Sequence, residues 1–248
     1  ERKNVENIAE QVRAPPRKLQ EFLSDSPWDD RGCIGELQRF LGEQFGAPNG
    51  VLVIDDTGFA KKGTSSAGVG RQYSGTLGRT DNCQVGVFLG YASQHGHSLV
   101  DRRLYVMQGW FDDPAKRRLP KAALPADLTF KTKPVLAAEM LREASERGGL
   151  PYQWVTADAG YGENHDLRRE VAELGRWYCF EVNCNSEVWT SPPQWEIPPW
   201  SGRGRHRTRA LAKPGTEPAR RVDAIVSGLP PDAWIRHRVT EGAKALAE

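Results

Sequence analysis

Two aspartates occupy equivalent places in this chain, each directly after a short apolar run. Asp55 follows the run that begins at Val51, Asp158 follows the run that begins at Trp154, and a glycine comes soon after each acid. Apolar runs of this length bounded by glycine are typical of strands buried on both faces, in sheets that helices cover. Such sheets bind ligands beyond the ends of their strands. The pattern therefore predicts two carboxylates at strand ends, where they can share one ligand.

A carboxylate in that position needs a cation or a hydrogen-bond network, because an isolated charge is costly beside a poorly hydrated core. Hard oxygen ligands suit Mg²⁺ or Mn²⁺. Two such ions about 3.5–4 Å apart can activate an attacking oxygen and stabilise the leaving oxygen at a phosphodiester. Either aspartate alone fits an ordinary helix cap or turn residue equally well. Together, Asp55 and Asp158 favour a shared divalent-metal site.

The charges of the chain are unevenly distributed. Its 248 residues carry a formal net charge of only +2, so a surface for nucleic acid has to come from local clusters. One cluster contains no acid between Asp56 and Asp81, and its basic residues are Lys61, Lys62, Arg71 and Arg79. A second cluster has Glu217 as its only acid and contains Arg203, Arg205, Arg207, Arg209, Lys213, Arg220 and Arg221. Solvated loops are the alternative interpretation, for the second cluster above all.

Hydropathy and cysteine usage indicate the compartment. No stretch of about 18 apolar residues occurs, so the sequence predicts no membrane span. The cysteines form no CxxC pair and no metal-ligand pattern with histidine; they are Cys33, Cys83, Cys179 and Cys184. We therefore expect reduced thiols in the core and a location in the reducing cytoplasm.

The apolar periodicity divides the chain into segments. Residues 1–48 predict three short helices, which we expect to cap the main domain rather than to read DNA. Residues 49–189 predict three antiparallel strands, a helix that starts at Pro134 and stops at Gly148, and the strand before the second aspartate. A helix with Asn164 as its N-cap and a further strand follow. That order is typical of an RNase-H-like domain, an α/β fold with a mixed sheet flanked by helices. A Pro- and Arg-rich insertion or loop is predicted over residues 190–233, and residues 234–248 would begin the remaining part of the core.

Four blocks of the sequence carry a longer likeness, and they are residues 54–63, 69–78, 81–87 and 156–162. These blocks resemble the DDE-type transposases of bacterial insertion sequences, and most closely the branch known as DDE superfamily endonucleases. The resemblance extends over most of the chain and is weakest from residue 190 to residue 231. It implies an RNase-H-like catalytic domain in which two aspartates and a glutamate hold two Mg²⁺ ions, or Mn²⁺ in their place.

The resemblance assigns roles to several residues. By position, Asp55 is the first catalytic acid and metal ligand, and Asp158 is the second. Asp56 is the alternative for the first acid, because adjacent side chains of a strand point to opposite faces and only one reaches the metal ions. DNA-binding roles fall on the basic loop, through Lys61, Lys62, Arg71, Gln72 and Arg79. Tyr73 either contacts DNA beside them or packs in the core.

The third acid is the point where the sequence departs from the family pattern. In the family it lies on a late helix, in a Trp/Tyr-Arg…Glu…Lys pattern, and no such segment occurs before Glu248. The late carboxylates are Glu241 and Glu248, and Glu241 follows a strand-like segment and precedes glycine rather than lying inside a helix. We therefore expect a chain that is truncated before the third acid and inactive by itself.

These observations predict a transposase of an insertion sequence, which cleaves and joins DNA strands by a Mg²⁺-dependent two-metal mechanism. The expected partner is double-stranded DNA, as transposon ends and as target, with a homodimer for the complete protein and no membrane. Two alternatives stay open: a catalytically dead DNA-binding remnant, and an RNase-H-like nuclease that does not transpose. A glycosidase built on the carboxylates is disfavoured, because it leaves the basic loop unexplained.

Overall fold

The chain divides into two units, which the computed structural model describes over residues 4–27, 29–117, 124–200 and 202–235. Unit 1 consists of Glu1–Ala157 and Asn164–Phe180, and unit 2 consists of Asp158–Glu163 and Glu181–Glu248. None of the described helices is both long enough and apolar enough to cross a membrane.

Unit 1 is built on a mixed sheet of six strands. The strands are β1 Val51–Ala60, β2 Gly70–Ser74, β3 Arg79–Ser93, β4 Gly96–Tyr105, β5 Trp154–Ala157 and β6 Trp177–Phe180. β3 pairs antiparallel with β1 on one side and with β2 and β4 on the other, whereas β5 is parallel to both β1 and β6. The four strands β1 to β4 are joined by antiparallel pairing, and β5 and β6 follow in parallel on the other side of β1, which is the RNase-H-like arrangement. The predicted fold class is confirmed.

β2 lies in a segment that the sequence predicts as a loop. It pairs with the first residues of β3 across a tight turn, in which Gly78 has a left-handed φ of 64°. The segment is short and polar, so it carries no apolar alternation that would indicate a strand. Pairing with a long neighbouring strand, rather than its own pattern, makes it a strand.

The helices are α1 Val5–Gln11, α2 Pro16–Ser24, α3 Asp30–Phe45, α4 Gly109–Asp112, α5 Pro114–Arg117, α6 Lys133–Arg147, α7 Ala159–Gly162, α8 His165–Glu173 and α9 Val222–Ser227. Asn164 caps α8 by accepting a hydrogen bond from the backbone N–H of Leu167 at 2.8 Å. α6 ends at Gly148, whose φ of 66° is a left-handed conformation that glycine adopts without strain. The predicted cap at Asn164 and the predicted stop at Gly148 are both confirmed.

The core of unit 1 lies between the sheet and the helices α3 and α6. Its fully buried side chains include Leu52, Ile54, Val85, Val87 and Leu89 from the sheet, with Met140 and Leu141 from α6. Gln38 of α3 is also buried and donates a hydrogen bond to the Val100 carbonyl of β4 at 3.2 Å. α3 therefore packs on the main domain, as the sequence predicts for a helical cap.

A cluster of ion pairs joins β4 to α6 at the edge of this core. Arg103 donates to the buried carboxylate of Asp101 at 2.6 Å and to Glu143 at 2.8 Å, and Arg147 donates to Glu143 at 2.8 Å. Burial alone would raise the pKa of Glu143. The hydrogen bond from Arg103 and the charges of Arg103, Arg31 and Arg147 outweigh burial, so this pKa lies below its ordinary value. Glu143 is therefore ionised at neutral pH and links the two elements.

The cysteines do not all lie in the core. Cys83 is buried, and burial raises the pKa of its thiol. Cys33, Cys179 and Cys184 are exposed, so the prediction of core thiols is wrong for these three. Cys179 lies on β6, the last strand of the sheet, and Cys184 lies in unit 2. Both places lack the cover that central strands have.

Unit 2 contains two short antiparallel strand pairs. β7 Glu187–Val188 pairs with β10 Arg220–Arg221, and β8 Trp195–Glu196 pairs with β9 Leu211–Ala212. None of its described residues from 181 onward is buried. The domain boundaries drawn from the sequence stay a prediction.

Candidate functional site

Asp55 and Asp56 lie on opposite faces of β1. Leu52 and Ile54 are buried, and strand alternation places Asp56 on their side and Asp55 on the other. Asp55 is exposed, and its Oδ1 accepts a hydrogen bond from the backbone N–H of Asp56 at 2.7 Å. The two adjacent acids therefore have different surroundings.

Asp56 forms an ion pair with Lys133, a residue that the sequence analysis does not single out. The Lys133 Nζ is 3.0 Å from each carboxylate oxygen of Asp56, and it lies 5.7 Å from the ring centre of Tyr105. Lys133 is the first residue of α6, where the helix dipole disfavours a cation. A lysine at a helix N-terminus is thus the sequence signal that indicates a carboxylate partner. Lys133 neutralises Asp56 on the side of the sheet that carries the buried residues.

The strands that precede the two candidate acids are neighbours in the sheet of unit 1. β1 and β5 run parallel, and their pairing ends with Ile54 opposite Ala157. Asp55 follows Ile54 in the chain, and Asp158 follows Ala157. Chain connectivity therefore places each acid directly after one member of the last register pair.

Asp158 also acts as a helix cap within unit 2. Its Oδ1 accepts a hydrogen bond from the backbone N–H of Gly160 at 3.0 Å, at the start of α7. The residue is exposed and its backbone is extended. A carboxylate has two oxygens with about four acceptor positions, so the cap does not exhaust its capacity.

Side-chain amides from β3 hold the loop between β1 and β2. The Asn82 Nδ2 donates to the Lys61 carbonyl at 2.6 Å and to the Gly63 carbonyl at 3.0 Å. The Gln84 Nε2 donates to the Ala67 carbonyl at 2.7 Å. The basic loop is therefore fixed to its neighbouring strand at both ends.

The four predicted cations between residues 61 and 79 fall into two groups. Lys61 and Lys62 lie in the loop, Arg71 lies on β2 and Arg79 is the first residue of β3. Lys61, Lys62 and Arg71 form no ion pair with any residue that the structure describes. Arg79, by contrast, forms an ion pair with Asp81 at 2.8 Å. The pKa of Asp81 lies below its ordinary value, because the backbone N–H of the next residue and then Arg79 donate hydrogen bonds to it. Three of the four predicted cations thus form no ion pair within the described chain.

Gln72 and Tyr73 have different roles from each other. The Gln72 Nε2 donates to the Cys83 carbonyl at 2.8 Å and to the Gly68 carbonyl at 3.3 Å, so this side chain supports the loop from within. Tyr73 is 63% exposed, which excludes the alternative that it packs in the core.

Carboxylate oxygens fit Mg²⁺ by their donor chemistry. Asp55 lies in the middle of β1, which continues to Ala60 through its pairing with β3, so the prediction that this carboxylate stands at a strand end is wrong. In the part of the chain that the structure describes, no three His, Cys, Asp or Glu side chains group closely enough to hold a metal ion among themselves. Glu241 and Glu248, the late carboxylates considered for the third acid, lie outside the described residues.

Comparison with known proteins identifies the family. A family model described as DDE superfamily endonuclease matches residues 1–245. The chain therefore belongs to the DDE superfamily endonuclease family, and the resemblance found in the sequence is confirmed.

One curated relative and one solved structure add detail. The chain is 31% identical over 201 residues to the probable transposase for insertion sequence element IS701 of Microchaete diplosiphon. That match covers 78% of this chain and 48% of the relative, so the chain spans about half the length of the curated relative. The chain is also similar to one in the crystal structure of a pre-cleavage Mos1 transpososome, at 10% sequence identity and a TM-score of 0.24. That match covers 73% of this chain and 54% of the matched chain. A TM-score this low carries no argument.

Proposed function

We propose that this chain is the catalytic part of a transposase that cleaves and joins DNA strands for an insertion sequence, with Asp55 and Asp158 as its catalytic acids. One observation carries the proposal, namely the parallel pairing of β1 with β5 that ends with Ile54 opposite Ala157. Residues at paired positions of parallel strands have their side chains on the same face. We propose that the register continues by one position, so that Asp55 and Asp158 lie opposite each other. The family and the transposase relative support the DNA chemistry.

The surroundings favour Asp55 over Asp56 as the first acid. A cation at Asp56 would compete with Lys133, which already contacts both of its carboxylate oxygens. Asp55 points to the opposite face of β1, where its side chain is exposed. A metal ion at Asp55 would leave the ion pair of Asp56 with Lys133 in place.

Asp55 and Asp158 would hold Mg²⁺, or Mn²⁺ in its place, because each supplies the hard oxygen ligands that these ions prefer. When bound, such ions supply Lewis-acid stabilisation of the attacking and leaving oxygens of a phosphodiester. The chain contributes the position of the carboxylates. β1 lies between β3 and β5 in the sheet, and this pairing on both sides fixes the backbone that carries Asp55.

Double-stranded DNA would approach the loop between β1 and β2. Lys61, Lys62 and Arg71 offer positive charge that no described acid neutralises, and phosphate contacts of this kind give salt-dependent, sequence-tolerant affinity. Arg79 contributes less than these three because it is already paired with Asp81. Gln72 supports the loop through its hydrogen bonds to backbone carbonyls. We expect the complete protein to bind transposon ends and target DNA as a homodimer.

A second candidate is a DNA-binding remnant without catalytic activity. It is favoured by the absence, among the described residues, of a third carboxylate grouped with the others. Two carboxylates leave a bound ion mostly to water, which positions it poorly for in-line attack. Such a protein would bind DNA through the same loop and leave it uncut.

Electron paramagnetic resonance of Mn²⁺ tests the assignment of the acids. We expect the chain to bind Mn²⁺ weakly, and Asp55→Asn and Asp158→Asn each to abolish that binding. Asp56→Asn is the matched control, one residue away on the same strand, and should retain it. Loss of binding in the control with retention in Asp55→Asn would make Asp56 the first acid.

Nicking of supercoiled DNA that carries a transposon end separates the two candidate functions. In the complete protein, Mg²⁺-dependent nicking that disappears in Asp158→Ala is the result expected of a transposase. Intact Mn²⁺ binding and DNA binding without nicking would identify the remnant. Circular dichroism of every variant checks that the fold is retained.

A further inference from the structure

The hairpin of β8, β9 and the loop between them, called here the 195–212 hairpin and described except for residue 201, presents aromatic rings to solvent. Trp195 is 50% exposed, and its ring meets that of Trp189 edge to face, with centroids 5.5 Å apart at 73°. Trp200 is 51% exposed and stacks on His206, with centroids 4.8 Å apart at 20°. Two tryptophans thus hold fixed orientations while about half of each remains in water.

The same hairpin carries positive charge without counter-charge. Between Glu196 and Glu217 the sequence contains no acid, and its cations are Arg203, Arg205, Arg207, Arg209 and Lys213. None of these five forms an ion pair with any residue in the described ranges. In unit 1, by contrast, most arginines form ion pairs, for example Arg142 with Glu170 at 2.6 Å. The hairpin therefore offers its guanidinium groups to an anion from outside.

The rings do not serve a core of unit 2, because no described residue from 181 onward is buried. Exposed rings beside unneutralised arginines fit an anionic partner that also has flat apolar groups. Nucleic-acid bases stack on aromatic side chains without regard to sequence, and arginine adds phosphate contacts. In a duplex the base faces cover one another, so the rings can stack only on bases of an unpaired strand.

We propose that the 195–212 hairpin is a binding surface for unpaired DNA, with Trp195 and Trp200 stacked on bases and the arginines on phosphates. This surface goes beyond the proposed function, which rests on the two aspartates and on duplex contacts of the basic loop. Charge complementarity disfavours a second copy of the chain, whose formal net charge is +2. The flat exposed rings favour stacking on bases over contact with a lipid surface.

Fluorescence anisotropy tests the proposal with a labelled oligothymidine of about 20 nucleotides, longer than the site of a single small binding fold. A duplex of the same length serves as the second probe. The measurement uses the full chain in EDTA, so its result does not depend on metal binding by the aspartates. We expect Trp195→Ala with Trp200→Ala to weaken single-strand binding by about tenfold or more, since each of the two stacked bases contributes a factor of about five or more. Duplex binding should change by less than about twofold, because base stacking contributes nothing to it.

Three controls make the test specific. Trp177→Ala removes an exposed tryptophan of the sheet in unit 1 and should leave single-strand binding unchanged. Trp200→Phe keeps a flat ring and should retain most of the affinity that Trp200→Ala loses. Arg203→Ala with Arg205→Ala should lower the slope of affinity against salt.

Several outcomes would overturn the proposal. One is an equal loss for single strand and duplex, and another is an equal loss in Trp177→Ala. Unchanged single-strand affinity in the double tryptophan variant would show that these rings do not stack on bases. Analytical ultracentrifugation and sedimentation with phosphatidylserine vesicles then show whether a second copy or a lipid surface is the occupant.

Discussion

The two units of this chain treat apolar and charged side chains in opposite ways. Unit 1 has a core of apolar residues buried between the sheet and its helices, and most of its arginines form ion pairs, such as Arg103 with Asp101 and Glu143. Unit 2 buries none of its described residues from 181 onward, and the arginines of the 195–212 hairpin form no ion pair with the described chain. The first pattern stabilises a fold, and the second leaves side chains ready for a partner.

The contrast separates stability from binding. Burial of apolar area supplies most of the free energy of folding, so changes within the core of unit 1 should reduce it most. Changes in the hairpin should leave the free energy of unfolding almost unaltered and act on affinity instead. Substitutions matched between the two units therefore test the comparison directly.

The largest effect is expected from Leu89→Ala. Leu89 lies on β3 and is fully buried, so its truncation should lower the free energy of unfolding by about 2–5 kcal/mol. Ile197→Ala, at an exposed position of unit 2, should cost less than about 0.5 kcal/mol. Urea unfolding followed by circular dichroism measures both. Similar costs for the two variants would show that unit 2 has a core of its own.

A smaller loss is expected from Lys133→Met, which leaves the carboxylate of Asp56 without this ion pair. Loss of the ion pair at this half-buried carboxylate should lower the free energy of unfolding by about 1–3 kcal/mol. Adding Asp56→Asn should restore part of the loss, because the uncompensated charge disappears. Arg39→Met removes ion pairs on an exposed helix face and should cost clearly less than Lys133→Met. A cost for Arg39→Met as large as that for Lys133→Met would contradict the special role of the pair beside Asp55.

The ion cluster of unit 1 predicts a dependence on acid pH. The pKa of Glu143 is lower in the folded state than its ordinary value, so its ionised form stabilises the fold above that value. This stabilisation is lost as the pH falls through the lowered pKa. Urea unfolding at neutral pH and at about pH 4 or below should show a smaller decrease in stability for Glu143→Gln than for the wild type. The same decrease in both proteins would remove Glu143 from the account of acid sensitivity.

The smallest effect concerns the slope of DNA affinity against salt. Lys61→Ala with Lys62→Ala should lower the slope for duplex DNA by about one unit per lost phosphate contact. Arg79→Ala is the matched control on the same loop, and it should change the slope less because Arg79 is paired with Asp81. An unchanged slope in the lysine variant would make these residues ordinary solvated side chains.

Local patterns predicted much of unit 1. The cap at Asn164, the stop at Gly148 and the strand that leads to Asp55 depend on residues near one another in the chain, where spacing and residue type carry the information. The RNase-H-like order of strands followed from the same patterns. β2 did not, because its pairing comes from β3 rather than from its own sequence.

Contacts between distant residues were harder to predict. The pair of Lys133 with Asp56 joins positions 77 residues apart, and only the cation at a helix N-terminus indicates it. The exposure of Cys33 and Cys179 depends on which elements pack over α3 and β6. That packing cannot be read from the residues near each cysteine in the sequence. The helix-cap role of Asp158 was weighed as an ordinary alternative, and the structure shows that role at one of its oxygens.

The central claim is the proposal that Asp55 and Asp158 share one metal site beside the parallel pairing of β1 with β5. A crystal structure with Mn²⁺, located by its anomalous scattering, measures it most directly. We predict Mn²⁺ density in contact with both carboxylates, whose carboxyl carbons should lie within about 8 Å of each other, the reach that such metal sites need. Carboxyl carbons farther apart than this, or Mn²⁺ bound at Asp56 in place of Asp55, would contradict the account.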